Sequence, residues 1–364
     1  MLNNFQHIHQ MAEQAKRLLS DDVLTFLNAG SADELAVSRN RAIFTQQKIL
    51  PRVLKKTEII NSQCQINKTV LDSPLLIAPS AFHGLYSPQG ELDTVRAAQK
   101  FNSIPIISQF SSIDLCQLTE HCQNVWLQMY LLKDRAINQA ILDQAERAGV
   151  KQLVLTVDAP CYAKKAKAFA RPLPLTNGCD LSHLQRLGVD IDGCLSSPGH
   201  FASLLDDNIT WHDIEWLAQK TCLPIMLKGV LDPKDTKIAM QYDCINGVIV
   251  SNHGGRQLDD SVAPLEVIAQ HRDIVGDKLN LLLDGGIQRG SDVFKAIALG
   301  ADAVLLGRAI LWGLVIGGES GVLSSLNILQ QELVETMTLC GCANLQSITS
   351  DYLYNKTKLE NSYA

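Results

Sequence analysis

Several features that would settle the class of this chain at once are missing from it. No uninterrupted apolar stretch approaches the ~20 residues that a bilayer helix needs, and Met1 to Met11 is polar, without the hydrophobic core of a secretion signal. A cytoplasmic protein without membrane insertion is therefore expected. Charge of one sign does not dominate: 32 basic residues are spread among 38 acidic ones, for a net charge of −6. That distribution excludes the basic arm or stripe of a nucleic-acid binder, so an anionic ligand has to be caught locally. The ten cysteines run from Cys64 to Cys342 with no C-x-x-C and no Cys/His metal spacing. Reduced, buried thiols are expected, and no metal site. Low-complexity tracts are absent, and the first strand-like run is not followed by the G-x-G-x-x-G of an open dinucleotide-binding sheet.

What is there is a long, apolar chain: 364 residues, 46% of them hydrophobic, enough for a substantial core. Eight strand-like runs recur, at Leu75–Ala78, Ile104–Ile107, Val125–Met129, Leu153–Val157, Pro224–Leu227, Gly247–Val250, Leu281–Leu283 and Ala303–Leu306. Segments of helical period separate most of them, as in Gly90–Lys100, Arg135–Ala148, Asp213–Lys220, Asp232–Met240, Leu265–Arg272 and Ser291–Leu299. Runs buried on both faces and followed by helices indicate a parallel sheet, and eight of them a closed (β/α)₈ barrel, an α/β fold of the TIM type. Residues 1–70 are expected as an N-terminal helical extension covering one barrel end, with Ser31 and Glu34 spaced as a capping box. The barrel then takes residues 71–364. Within it, 171–210 lacks a clear period and is rich in Gly, Ser, Pro and Asp, which suggests a mobile flap over the site.

Barrel active sites form where strands end at the carboxyl face. Here the exits carry Pro79-Ser80-Ala81, Ser108-Gln109-Phe110, Gln128 with Tyr130, Thr156 with Asp158, Lys228-Gly229, Ser251-Asn252-His253-Gly254-Gly255-Arg256, Asp284-Gly285-Gly286 and Gly307-Arg308. A plain scaffold has no reason to gather Lys, His, two Arg, Tyr and two Asp on one rim. Gly285, Gly286, Gly307 and Arg308 suit a phosphate, while Asp284 suits the hydroxyls of a chain joined to it. His253 and Arg256 share one short loop, as a proton acceptor and a fork that grips a carboxylate. Asp158 either steadies the imidazolium or caps a helix ahead of Ala159-Pro160. A buried Lys228 needs an anion or an electron-rich ring, and Tyr130 offers a hydrogen bond to substrate. The remaining histidines are read as structural.

Ser251-Asn252-His253-Gly254-Gly255-Arg256-Gln257-Leu258-Asp259 resembles the signature of the FMN-dependent α-hydroxy-acid oxidases and dehydrogenases, the family of glycolate oxidase, lactate oxidase and mandelate dehydrogenase. The likeness extends from about Leu18 to Leu345. It implies FMN beside Pro79, Ser80 and Ala81, with Ser108, Gln128 and Thr156 on the polar edge of its ring and Lys228 near N1. Ser251 and Asp284 would hold the ribityl region, and Gly285, Gly286, Gly307 and Arg308 the phosphate. His253 would be the base, Asp158 its partner, and Arg256 with Tyr130 the binders of a hydroxy acid whose electron pair passes to the flavin and then to oxygen or another acceptor. A homotetramer is implied as well.

The departures from the family pattern are local. Phe26 stands where many members carry a tyrosine, and Phe110 where a tryptophan is frequent. Ala163-Lys164-Lys165-Ala166-Lys167-Ala168 replaces G-x-R-x-x-D, so that Lys164 takes over from a substrate-side arginine. Gln288 occupies the place of an arginine near the phosphate, with Arg289 beside it as a further cofactor candidate. These changes point away from the smallest acids, toward a bulkier, aromatic or carrier-attached one. The alternative is an FMN barrel acting on another substrate class, by isomerisation or by oxidation of a non-acid alcohol.

Overall fold

The computed structural model describes residues 5–55, 59–161, 163, 179–191 and 203–354. Eight parallel strands form one sheet in the order β3-β10-β9-β8-β7-β6-β5-β4. They are β3 (Leu75–Ile77), β4 (Ile106–Ser108), β5 (Trp126–Met129), β6 (Leu153–Thr156), β7 (Ile225–Val230), β8 (Ile245–Val250), β9 (Asn280–Asp284) and β10 (Ala303–Leu306). A bridge between Ile77 and Pro105 joins the first strand to the second and closes the barrel. The (β/α)₈ architecture read from the sequence is thus the one observed, preceded by helices α1 (Ile8–Leu18), α2 (Asp21–Asn28) and α3 (Leu35–Gln46).

Strand periodicity divides the core in two. Leu76, Ile106, Trp126, Val154, Met226, Ile249, Leu282 and Leu305 form one cluster filling the barrel, while alternate residues such as Leu75, Leu127 and Leu281 pack outward under the helices. The same step of two, continued past the apolar layer, turns Ala78, Ser108, Gln128, Thr156, Lys228, Ser251, Asp284 and Gly307 inward at the carboxyl end. That parity is what converts a hydrophobic plug into a polar floor for a site.

A short hairpin of β1 (Cys64–Ile66) and β2 (Thr69–Leu71), within and just beyond the segment read as helical extension, was not anticipated. Its Ile66 and Leu71 join the barrel-filling cluster. Asn67 bonds Gln152, Asn246 and Asn280, so the hairpin stops the amino end of the barrel.

The capping box at Ser31 and Glu34 does not form. Helix α3 starts at Leu35 after Glu34 in the left-handed region, with no side-chain cap of its own. Asp259, far along the chain, accepts instead from the backbone N–H groups of Asp33 (3.0 Å) and Ala36 (2.9 Å). Ser31 is drawn away to the Gly255 carbonyl. A tertiary carboxylate has displaced the local cap.

The long helix Arg308–Cys340 has the length and composition of a membrane span, but 56% of its apolar window is buried inside the molecule. Its backbone breaks at Gly317-Gly318, which marks it as two core helices meeting at a kink. Nine cysteines are described and all are free thiols. Only Cys122, Cys340 and Cys342 are buried, whereas Cys116, Cys161 and Cys222 are exposed, contrary to the expectation of a uniformly buried set. Of the expected flap, 171–178 and 192–202 lie outside the described residues, as does Lys164; between the two stretches lies a short helix, Ser182–Arg186.

Candidate active site

A cavity of about 320 Å³ opens at the carboxyl end of the barrel. Its wall includes Pro79, Ser80, Ala81, Ser108, Gln128, Thr156, Lys228, Asp284, Gly285, Gly286, Gly307 and Arg308, together with Phe26, Phe110, Tyr130, His253 and Arg256. The strand exits therefore converge as their positions imply. Asp158 and Ser251 stand behind this wall and act on the residues in it. Arg289 does not reach it: its guanidinium pairs with Glu332, at 2.9 Å, beside the first turn of the helix Gly290–Ala298. The neighbouring Gln288 is the residue that faces the cavity.

Lys228 is almost fully buried, a costly place for an ammonium without partners. Asp284 Oδ2 lies 2.9 Å from its Nζ, and Ser251 Oγ accepts from it at 3.0 Å. Burial works to lower the Lys228 pKa, but the Asp284 and Asp158 carboxylates outweigh it and raise the value. Asp284 spends one oxygen on this pair. Its Oδ1 is buried without a hydrogen-bond partner.

Arg308 donates to the carbonyls of Leu27 and Gly254. Burial, and then repulsion from Arg256, pull its pKa down to about 10. A bound anion would relieve both. Gly285 and Gly286 both have positive φ, and a side chain at Gly286 would run into the backbone of Asn40. These features fit FMN: an unmatched carboxylate oxygen for ribityl hydroxyls, an anion-seeking guanidinium at a helix N-terminus for the phosphate, and a buried cation for the pyrimidine end of the ring.

The rest of the wall is arranged around His253. Its Nδ1 lies 2.9 Å from Asp158 Oδ1, and its Nε2 lies 3.4 Å from the Tyr130 hydroxyl. Among the described residues Asp158 caps no helix, and its carboxylate faces the imidazole. Burial alone would raise the Asp158 carboxyl, but His253 and then Lys228 prevail and hold it below its usual value. With Nδ1 turned to a carboxylate, Nε2 is the atom available to exchange a proton with a ligand. Arg256 is fixed by the carbonyls of Phe26 (3.0 Å) and Ala29 (2.6 Å) at the end of α2, and its guanidinium lies 5.3 Å from the Phe26 ring centroid. A helix C-terminus seeks cations, so α2 satisfies its own last carbonyls by presenting the two arginines to the cavity.

Some wall residues carried no signal in the sequence. Phe82, Tyr86, Cys161, Leu205, Gln257 and Trp312 also face the cavity. Gln257 follows Arg256 directly and was within reach of a reading by loop. Leu205 arrives because Leu204–Asp206 pairs with the segment just after Tyr130, a contact without a local trace.

With this geometry in place, the comparisons decide the family. Residues 15–355 match the FMN-dependent dehydrogenase family. The chain belongs to that family. It is 38% identical to the 2-hydroxyacid oxidase of Dictyostelium discoideum, over 98% of this chain and 92% of that one. It is 37% identical to the L-lactate oxidase of a Nostoc species, over 96% and 98%. Among solved structures, a soluble mutant of the membrane-associated (S)-mandelate dehydrogenase of Pseudomonas putida superposes with a TM-score of 0.86 at 32% identity, covering 97% of this chain and all of that one. Mandelate oxidase with 3,3-difluoro-2-hydroxy-3-phenylpropionic acid gives 0.85 at 30% identity, over 97% and 99%. As a member of the FMN-dependent dehydrogenase family, the protein is an FMN-dependent oxidoreductase acting on the CH–OH group of a hydroxy acid, and it passes electrons to an acceptor.

Proposed function

We propose that this enzyme oxidises an (S)-2-hydroxy acid with a bulky apolar or aryl substituent to the corresponding 2-keto acid, with His253 as base and Arg256 as carboxylate clamp. The observation that carries the reading is the single cavity in which His253, backed by Asp158, stands beside Tyr130 and Arg256 and shares a wall with Lys228 and Asp284. When bound, FMN supplies the two-electron acceptor that no side chain here can replace.

In this reading Arg256, anchored to α2, receives the carboxylate, and the Tyr130 hydroxyl orients the substrate next to His253 Nε2. His253 Nε2 takes a proton from the substrate, and Asp158 stabilises the resulting imidazolium at Nδ1. Lys228, its charge kept by Asp284, would hold the pyrimidine end of the ring and supply positive charge there.

The proposed substrate class rests on the same wall. Phe82 and Phe110 are 6.4 Å apart, Phe110 and Tyr130 6.1 Å, and Tyr130 and His253 6.5 Å, each pair with rings inclined at less than 30°. Phe26, under Arg256, brings no hydroxyl. Such a wall gains by burying apolar substituents, at about 0.8 kcal/mol per methylene. A panel of hydroxy acids should show kcat/KM rising from glycolate through lactate to longer aliphatic or aryl acids by ~10-fold or more. Glycolate or lactate as best substrate would contradict the substrate class. FMN that stays oxidised with every acid would contradict the reaction and favour the isomerase or non-acid alternative.

A further inference from the structure

His253 sits in an expensive backbone conformation. It has φ +59°, followed by Gly254 at +63° and Gly255 at +79°. Three left-handed residues in succession do not persist unless their surroundings over-determine them, and only the last two are glycine. The base is therefore held in place by something other than its own preference.

Ser251 Oγ accepts from His253 N–H, and the carbonyls of Gly254 and Gly255 accept from Arg308 and Ser31. The group that ties the turn to the N-terminal extension through a side chain is Asn252, which lies outside the cavity wall and is almost fully buried. Its Oδ1 accepts from Gly255 N–H at 3.1 Å and from Asn40 Nδ2 at 2.7 Å. Its Nδ2 donates to Asn40 Oδ1 at 2.8 Å and to the Val262 carbonyl at 3.1 Å. Asn40 and Asn252 thus form a reciprocal amide pair, two hydrogen bonds closing one ring, 212 residues apart in the chain. Asn40 is itself 2% exposed, lies on α3 and does not line the cavity, although it packs behind the wall residues Gly285 and Gly286. Its backbone and Cβ also fill the space that a side chain at Gly286 would need. One residue of the extension is wedged between the loop that carries the base and the loop that carries the cofactor glycines.

We infer that Asn40 is a positioning residue of the reaction, acting on His253 through Asn252. The inference rests on the assignment of His253 as base. Without the Asn40 amide, the Asn252 side chain keeps Gly255 and Val262 but loses the pair that fixes its orientation, and the left-handed turn at 253–255 relaxes. The His253 ring then no longer meets Asp158 and the substrate together. Its loss should therefore appear as slower chemistry rather than as weaker acid binding, because Arg256 is anchored separately to Phe26 and Ala29.

The test uses the FMN-loaded enzyme and its best acid, with anaerobic flavin reduction followed by stopped flow. Asn40→Ala should lower the limiting reduction rate by ~10- to 100-fold, with KM and the FMN dissociation constant moved by less than ~3-fold. Asn252→Ala should do the same, and the double variant should be no slower than Asn252→Ala alone, since the two act as one unit. Asn40→Asp keeps the shape and protects against a variant that fails to fold. Its carboxylate cannot donate to Asn252 Oδ1, but the protonated acid can, so its rate relative to the native enzyme should recover as pH falls through its pKa. Native rates per bound flavin in Asn40→Ala would overturn the inference, as would losses that multiply in the double variant or a pH-independent ratio near one for Asn40→Asp. His253→Ala in the same assay separates the two claims. If it reduces flavin at the native rate, the base assignment fails; if it is inactive while the Asn40 variants are native-like, only the positioning role fails.

Discussion

At the level of single residues, the cavity is built from pairs more than from individual groups. Arg256 suits the proposed clamp because two carbonyls at the end of α2 hold its guanidinium in one orientation. Arg256→Lys keeps a charge and loses the fork, so KM for the acid should rise by ~10- to 100-fold, the equivalent of one charge-assisted hydrogen bond, while the thermal midpoint changes little. An unchanged KM would remove Arg256 from the clamp. Asp158 offers a test through pH. Its folded pKa is depressed, so its charge stabilises the fold above the unfolded carboxylate value of about 3.9, and that stabilisation is lost as pH falls through the lower folded value. The Asp158→Asn variant should therefore lose less stability than the native protein between neutral pH and about pH 3. Equal acid sensitivity by thermal unfolding would speak against the Asp158–His253 pair. Lys228 and Asp284 were legible in the sequence because each closes an apolar run with a polar side chain on the inward step, and His253 and Arg256 because they share one short Gly-bearing loop at a strand exit. Asn40 and Asn252 were not legible as partners, because an asparagine in a helix and one in a loop have no periodic signature. Arg289 misled for a related reason: one place along from Gln288, it points to Glu332 instead of the cavity.

Among the elements, strands were easier to read than caps. A strand buried on both faces leaves a continuous Val/Ile/Leu run, and its ends shift by at most three residues between expectation and structure. Caps depend on competition. Ser31 and Glu34 have the spacing of a local box, yet the Asp259 carboxylate reaches two N–H groups at the start of α3 and wins them. Asp259→Ala should cost about 1–2 kcal/mol and lower the apparent Tm by ~2–4 °C, whereas Ser31→Ala, removing a hydroxyl held at 3.4 Å from Gly255 O, should cost less. The reverse order by differential scanning fluorimetry would show the local box to be the working cap. The hairpin Cys64–Leu71 escaped notice because its strands are three residues each, too short for alternation to stand out.

Across the whole molecule, the N-terminal segment closes both ends of the barrel: the hairpin Cys64–Leu71 stops the amino end, and α2 and α3 brace the carboxyl end where the cavity opens. The extension is therefore part of the site, supplying Phe26 and Leu27 to its wall and Asn40 to its frame. The most direct measurement of the central claim is anaerobic titration of the FMN-loaded protein with its best (S)-2-hydroxy acid, followed by absorbance. One equivalent of acid per flavin should bleach the oxidised band and release one equivalent of keto acid, with the colour returning when an acceptor is admitted. A flavin that is bound at full occupancy and stays oxidised through the titration would contradict the account.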